Sequence, residues 1–175
     1  MTQNAVAITP DSPTSCALAK AGKYLTFHMD GEVYGLEILK VQEIIGMMTV
    51  THVPRMPQFV RGVINLRGQV ISVIDLRLKF GMEGRQDTEK TCIIVVQVGG
   101  NGAHVTMGII VDEVAEVMDM TEEQIDTAPE FGIDANIDFI LGIGKVGKTV
   151  VMLLDVDKVL SNGEIALANR ISQES

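Results

Sequence analysis

Short apolar runs separated by turn residues recur along the chain, and this pattern predicts β-strands. The runs 24–27 and 33–36 flank Asp30-Gly31, a sequence typical of a hairpin turn. Residues 69–76 (QVISVIDL) are apolar and β-branched, so we expect a well-buried strand there. In residues 38–45 the apolar positions also fit a helical period, and the pattern leaves open a helical turn or an irregular strand.

Residues 91–111 carry no formal charge over 21 positions, nominally enough to span a bilayer. Their middle reads Gly99-Gly100-Asn101-Gly102, which is a turn sequence with isoleucine and valine on both sides. A turn in the middle of an apolar stretch interrupts a membrane helix and joins two strands instead. We therefore predict a buried hairpin over this stretch.

Two pairs of segments resemble each other at nearly constant offsets. Residues 59–80 and 139–160, offset by 80, share a phenylalanine, a glycine, a valine and an aspartate, and 10 of the 22 pairs are apolar in both. Residues 35–44 and 108–117, offset by 73, share a glycine, a valine and a glutamate. The matches indicate an internal repeat. The alternative is that buried strands resemble one another because they obey the same β-propensity rules.

The repeat predicts how the chain is organised. We expect a flexible segment over 1–22, a β-rich body over 23–160, and a C-terminal helix and tail over 161–175, where S-N-G-E has capping-box spacing. The body divides into two units, about 23–85 and 86–160. Units this small bury little alone, so we expect them to share a core, and small antiparallel sheets protect their edges by closing into barrels. The predicted fold class is mainly β, with two small barrels and short helices.

Composition narrows the function. The chain has 175 residues, 46% of them apolar, with 23 acidic against 14 basic residues and a formal charge of -9. An acidic chain makes a poor nucleic-acid binder, because phosphate contacts need lysine and arginine gathered on one face. Only 4% of residues are aromatic, which argues against stacking on bases or sugars. Cys16 and Cys92 are too few for a disulfide framework and indicate a reducing compartment.

One stretch has the pattern of a phosphate-binding loop. Residues 142–149 (GIGKVGKT) satisfy G-x-x-x-x-G-K-[ST], the signature of many nucleotide-binding proteins. That loop works only when a helix follows it, because the helix amides hold the phosphates. Residues 150–154 (VVMLL) read as a strand instead. Nucleotide binding is therefore kept only as the alternative function.

The remaining candidate chemistry is sparse. The three histidines are at positions 28, 52 and 104. None of them lies near another histidine or a cysteine at the sequence spacing that is typical of metal ligands. No G-x-S-x-G nucleophile motif is present. We therefore expect no metal site, while catalytic partners distant in sequence stay open at this point. What stands out is Asn65-Leu66-Arg67-Gly68, where an arginine precedes a turn glycine. It is either an ordinary exposed turn residue or a guanidinium presented to a partner protein.

At these residues the chain resembles the CheW family, the coupling proteins of bacterial chemotaxis. The resemblance spans about residues 23–168, and its blocks follow one another in family order. The matching blocks are KVQEI at 40–44, FVRGVINLRG at 59–68, VIDLR at 73–77, GIIVD at 108–112 and APEF at 128–131. The joint pattern of NLRG followed by V-x-D-L-R makes the match specific.

The resemblance implies two SH3-like five-stranded barrels and an adaptor that works without catalysis or cofactor. Family members bridge chemoreceptor cytoplasmic tips and the regulatory domain of the histidine kinase CheA, in the cytoplasm at membrane-associated receptor arrays. Nothing in the chain resembles the receiver domain of CheV or the catalytic domains of CheA. A β-barrel interaction module serving another signalling system is a further alternative.

The resemblance also assigns residues. The positions that match the receptor-binding groove between the barrels are Val41, Glu43, Asn65, Leu66, Arg67 and Gly68. We hypothesise that Glu43 and Arg67 form an ion pair at a buried edge, where an unpaired charge would be costly. Kinase contacts are expected on a different surface, an apolar edge of the first barrel, and no residues are assigned to them.

Overall fold

Strands form most of the regular structure in the computed structural model, which describes residues 21–82, 86–100, 103–126 and 139–159. The strands are β1 (Gly22–Met29), β2 (Glu32–Glu37), β3 (Val41–Gly46), β4 (Val60–Leu66), β5 (Gln69–Asp75), β6 (Cys92–Gly100), β7 (Ala103–Val111), β8 (Glu113–Met120), β9 (Ile125–Asp126), β10 (Ile140–Val146) and β11 (Thr149–Leu154). The helices are single turns, α1 (Leu76–Lys79) and α2 (Val156–Val159). The expected C-terminal helix and nearly all of the expected flexible N-terminal segment lie outside the described residues.

The strands form two sheets, one of six strands in the order β8-β1-β2-β11-β10-β9 and one of five in the order β3-β6-β7-β5-β4. Each sheet curls, because the chain leaving one edge strand returns to pair with the other edge. Thr51, downstream of β3, pairs with Val63 of β4, and β9, downstream of β8, pairs with β10. The mainly β fold with two barrels is confirmed, and so is the hairpin over 91–111.

The chain crosses between the sheets twice. Residues 38–40 form a 3₁₀ turn that carries the chain from β2 in the six-stranded sheet to β3 in the five-stranded sheet. Asp112 joins β7 to β8 in the opposite direction. We call these connections the first and second crossover. The ambiguous stretch 38–45 is thus both a helical turn and a strand. The expected division near residue 85 does not coincide with the sheets, since each sheet takes strands from both sides of it.

The repeat is visible in hydrogen bonds as well as in sequence. The β4–β5 and β10–β11 hairpins have the same register and an irregularity at the same place. Asp75 N donates to Phe59 O at 2.7 Å, and Asp155 N donates to Phe139 O at 2.8 Å. Each aspartate then accepts a hydrogen bond from the backbone N–H two residues later, at the first turn of α1 or α2. The 80-residue offset found in the sequence therefore relates equivalent structural positions.

Within the described ranges, the core has three parts. One apolar cluster lies inside the five-stranded sheet and another inside the six-stranded sheet. The largest, which we call the shared core, lies between the sheets and includes Phe27 from one and Met107 from the other. Strands such as β6 are therefore buried on both faces, with Ile93 turned to its own barrel and Ile94 to the shared core. The predicted shared core is confirmed.

A charged cluster lies at one side of this junction. Arg77, on α1, has only 1% of its side chain exposed. Its guanidinium donates to both carboxylate oxygens of Asp75, at 2.9 Å each, and to Asp87 and Asp112, at 3.0 Å each. Arg61 of β4 also donates to Asp75 and Asp87. We call these five residues the arginine cluster. Hydrogen bonds, first with Asp75, raise the pKa of Arg77, which keeps the buried group charged.

Replacing Arg77 with methionine is expected to destabilise the fold strongly. The change fills similar volume but removes the cation that pairs with Asp112 and both bonds from Arg77 to the buried carboxylate of Asp75, to which Arg61 donates through only one oxygen. Leaving a buried carboxylate undercompensated in this way costs about 3 to 5 kcal/mol. The free energy of unfolding in urea measures this loss. Lys23→Met is the matched control, because it breaks an exposed ion pair with Asp119, and such pairs contribute about 0 to 1 kcal/mol. Equal effects of the two substitutions would contradict the structural role of the arginine cluster.

Candidate functional site

Glu43 and Arg67 form an ion pair on the surface of the five-stranded sheet. Glu43 lies on β3 at one edge of the sheet, and Arg67 lies in the turn between β5 and β4 at the other edge. Barrel closure brings the two edges together, so that both guanidinium Nη atoms donate to the two carboxylate oxygens of Glu43. The pair is therefore a direct consequence of the sheet topology.

The pair is exposed. The Arg67 side chain is 70% accessible and that of Glu43 is 31% accessible. The hydrogen bond from Arg67 lowers the pKa of Glu43, and the hydrogen bond to Glu43 raises the pKa of Arg67. Both groups are thus charged at neutral pH. The hypothesis of an ion pair is confirmed, but its expected position at a buried edge is wrong, because the turn projects Arg67 into solvent.

The turn that carries Arg67 has a defined conformation. Arg67 and Gly68 both have positive φ, 52° and 88°, as a two-residue type I′ hairpin turn requires. Asn65 stabilises the turn because its side-chain oxygen accepts a hydrogen bond from Gly68 N at 2.8 Å. The NLRG sequence therefore presents the arginine from a rigid hairpin.

The structure groups four of the six predicted site residues and separates two. Glu43, Asn65, Arg67 and Gly68 lie together at the turn and the facing strand, and we call them the turn surface. Leu66 packs into the core of the five-stranded sheet. Val41, at the start of β3, packs against the shared core. These two side chains support the site from inside, and Val41 connects it to the junction of the sheets.

Two other groups near the site were not assigned a role from sequence. Arg61 belongs to the arginine cluster. It lies near the start of β4, and the turn surface lies at the opposite end of that strand. Lys40, immediately before β3, pairs with Asp157 of α2 at 3.0 Å. A charged residue inside an apolar run, as in VIDLRL at 73–78, signals a buried ion pair. No local pattern signals the Lys40 pair, whose members are 117 residues apart.

The phosphate-loop pattern belongs to a hairpin. Residues 142–149 cover the end of β10, the Gly147-Lys148 turn and the start of β11. A strand follows the turn, so the helix amides that would hold phosphates are missing from this place. Lys145 is paired with Asp126 at 2.6 Å. Nothing supports the nucleotide-binding alternative.

Two observations on the described part of the chain concern metal ligands and membrane-spanning helices. Within residues 21–82, 86–100, 103–126 and 139–159, no three or more His, Cys, Asp or Glu side chains are grouped so that they could hold a metal ion. No helix within those ranges is long and apolar enough to cross a membrane.

Two fused β-barrels that carry an exposed, rigidly held ion pair define a small β-scaffold protein. The family model described as the CheW-like domain matches residues 23–164. The chain belongs to the CheW family and is a chemotaxis adaptor.

Relatives from several bacteria agree with this assignment. The chain is 40% identical over 151 residues to the chemotaxis protein CheW of Klebsiella aerogenes, covering 86% of this chain and 89% of that one. It is 34% identical over 138 residues to CheW of Helicobacter pylori, covering 79% and 81%. Among solved structures it is similar to the scaffolding protein TtCheW of Thermoanaerobacter tengcongensis, with a TM-score of 0.72, 32% identity, and coverage of 83% and 97%.

The ion pair makes the titration of Glu43 a test of the turn surface. Because Arg67 stabilises the carboxylate, Glu43 is expected to titrate below the ordinary glutamate range, and the pair persists until the pH falls through that lowered pKa. In Arg67→Gln the pKa should return to the ordinary range. NMR titration of the side-chain carboxyl measures both values. An unchanged Glu43 pKa in the variant would contradict the pairing.

Proposed function

We propose that this adaptor couples the cytoplasmic tips of chemoreceptors to the regulatory domain of the histidine kinase CheA, without catalysis and within membrane-associated receptor arrays. The receptor contacts the turn surface, with Val41 and Leu66 supporting it from inside. The kinase contacts a separate apolar surface. Receptor state then reaches the kinase because both partners are held on one rigid body.

The observation that carries the receptor site is the exposed bidentate pair between Glu43 and Arg67. Arginine is enriched at the energetic centres of protein interfaces, where its planar fork fixes geometry as well as charge. Glu43 holds the Arg67 side chain in one orientation before any partner arrives, so less conformational entropy is lost on binding. An exposed pair of this kind contributes little to folding, which is consistent with a role in recognition.

Charge reversal at Arg67 tests the receptor site. In Arg67→Glu the new carboxylate faces Glu43, so the turn surface loses its cation and gains repulsion. We expect co-sedimentation with receptor-containing membranes to be abolished, while the far-UV circular dichroism and the midpoint of thermal unfolding stay close to those of the unchanged chain. Unimpaired binding would overturn the assignment of the receptor site.

The repeat supplies a matched control for this experiment. Lys148 lies in the β10–β11 turn, which corresponds to the turn that carries Arg67. Lys148→Glu makes the same charge change on an equivalent exposed hairpin. Its co-sedimentation should remain normal; if both variants lose receptor binding, the effect belongs to net charge and the turn surface is not the site.

The kinase surface is supported by exposed apolar side chains beside the edge strand β3. Leu39, in the first crossover, is 91% exposed, and Ile44 and Met48 are also exposed. Along β3, Ile44 alternates with Glu43 and so faces away from the receptor side of the strand. Exposed apolar groups along an edge strand favour association with another protein.

Placing a charge on this edge tests the kinase surface. Ile44→Glu is expected to weaken binding to CheA by about tenfold or more, the loss of one interface anchor, and to leave receptor co-sedimentation intact. Isothermal titration with the CheA regulatory domain measures the affinity. Val117→Glu is the control, because Val117 is the exposed residue at the corresponding position of β8. A loss confined to the Val117 variant would place the kinase on the other barrel.

A further inference from the structure

The first crossover is held by one carboxylate that bridges the two sheets. Asp157, on α2 after the last strand of the six-stranded sheet, accepts a hydrogen bond from Lys40 Nζ at 3.0 Å through Oδ2. Its other oxygen, Oδ1, accepts from Gly99 N at 3.0 Å, near the end of β6 in the five-stranded sheet. The hydrogen bond with Asp157 also raises the pKa of Lys40. Asp157 thus ties the residue immediately before β3 to the opposite sheet.

The second crossover is held in the same way with the charges exchanged. Here the carboxylate is on the crossover: Asp112 Oδ1 accepts from Arg77 Nη1 at 3.0 Å, and its Oδ2 accepts from Asp30 N at 2.9 Å in the β1–β2 turn. Arg77 and Asp157 are related by the 80-residue offset, two positions after the equivalent caps Asp75 and Asp155. The repeated position therefore serves the same purpose twice, with a cation in one half and an anion in the other.

The two clamps differ in burial. Arg77 has 1% of its side chain exposed, whereas Lys40 and Asp157 are 39% and 33% exposed. Water and salt screen the exposed clamp more than the buried one. The first crossover is therefore the more easily loosened of the two, and the strand that follows it, β3, carries Val41 and Glu43.

We propose that Asp157 is a positioning residue for the receptor-binding surface: through Lys40 and Gly99 it fixes the start of β3 against the opposite sheet, although it lies outside the turn surface. This inference rests on the proposed receptor-binding role of Glu43 and Arg67. It assigns to α2, in the second half of the chain, a part in binding that occurs on the five-stranded sheet, where β3 is an edge strand.

Asp157→Asn tests the clamp directly. The amide keeps an oxygen that can accept from Gly99 N but loses the charge that attracts Lys40. Hydrogen exchange of the backbone amides in 41–46, followed by mass spectrometry on the full chain, is expected to become about 2- to 5-fold faster, the range that a partly exposed ion pair supports. Receptor co-sedimentation should weaken by a similar factor, and added salt should reduce the difference between variant and parent.

Asp119→Asn is the matched control. It makes the same substitution in an ion pair with lysine, Lys23, that links β1 and β8 away from the turn surface. Its exchange in 41–46 and its receptor binding should equal those of the unchanged chain. In addition, Lys40→Met combined with Asp157→Asn should be no worse than either alone, because both changes break one interaction. Additive effects would overturn the clamp.

Other outcomes separate this inference from the proposed function. If exchange in 41–46 is unchanged in Asp157→Asn while Arg67→Glu still abolishes binding, the positioning role is wrong and the receptor site stands. Faster exchange with full receptor affinity also overturns the positioning role, since the looser strand then does not matter for binding. If Arg67→Glu binds normally, the receptor site itself fails, and the positioning role of Asp157 fails with it.

Discussion

Burying the guanidinium of Arg77 between two sheets sets the conditions that the rest of the structure must meet. An unpaired charge in that position would be prohibitively costly, so carboxylates have to converge on it from several segments at once. Asp75 comes from the end of β5, Asp112 from the second crossover, and Asp87 from the segment that leads to β6. Each of these segments can take only the position at which its carboxylate meets the guanidinium. Apolar packing alone is less directional, and the shared core would tolerate more ways of seating one sheet on the other.

The internal repeat shows which features of the fold depend on backbone geometry and which depend on side-chain charge. Hairpin register, the irregularity near the start of each hairpin and the aspartate cap recur in both halves. The charges at the crossovers do not, since Arg77 and Asp157 have opposite sign at equivalent positions. At each crossover one carboxylate accepts hydrogen bonds from a cation and from a backbone N–H. The cation lies on the crossover in one case and on the neighbouring helix in the other. This explains why the repeat keeps its apolar residues, its turns and the capping aspartate, but not the sign of the charge two positions after that aspartate.

Local sequence signals made much of the fold predictable. They did not predict that each sheet would combine strands from both halves of the chain. Turn pairs such as Asp30-Gly31 and β-branched runs such as 69–76 report on neighbouring residues, and they led to the correct hairpins. No local sequence pattern indicates that β3 pairs with β6, because several strands of similar hydrophobicity could pair with β3 equally well. The Glu43–Arg67 pair was predicted from the resemblance to a family. Its exposure was not predicted, because it depends on how far the turn projects from the sheet. Asp157 could not be found, since its partners Lys40 and Gly99 are 117 and 58 residues away.

The distribution of burial among the ion pairs relates structure to function. A pair that is fully buried, as at Arg77, fixes one arrangement and contributes to folding, but no partner can reach it. A pair that is exposed, as at Arg67, contributes little to folding and can exchange its partner for a group on another protein. The Lys40–Asp157 pair lies between these extremes, at the place where the strand carrying Glu43 leaves the junction of the sheets. Under the proposed function an adaptor uses all three kinds of pair. The buried pair holds the rigid body, the exposed pair forms the proposed recognition surface, and the partly exposed pair is proposed to join the two.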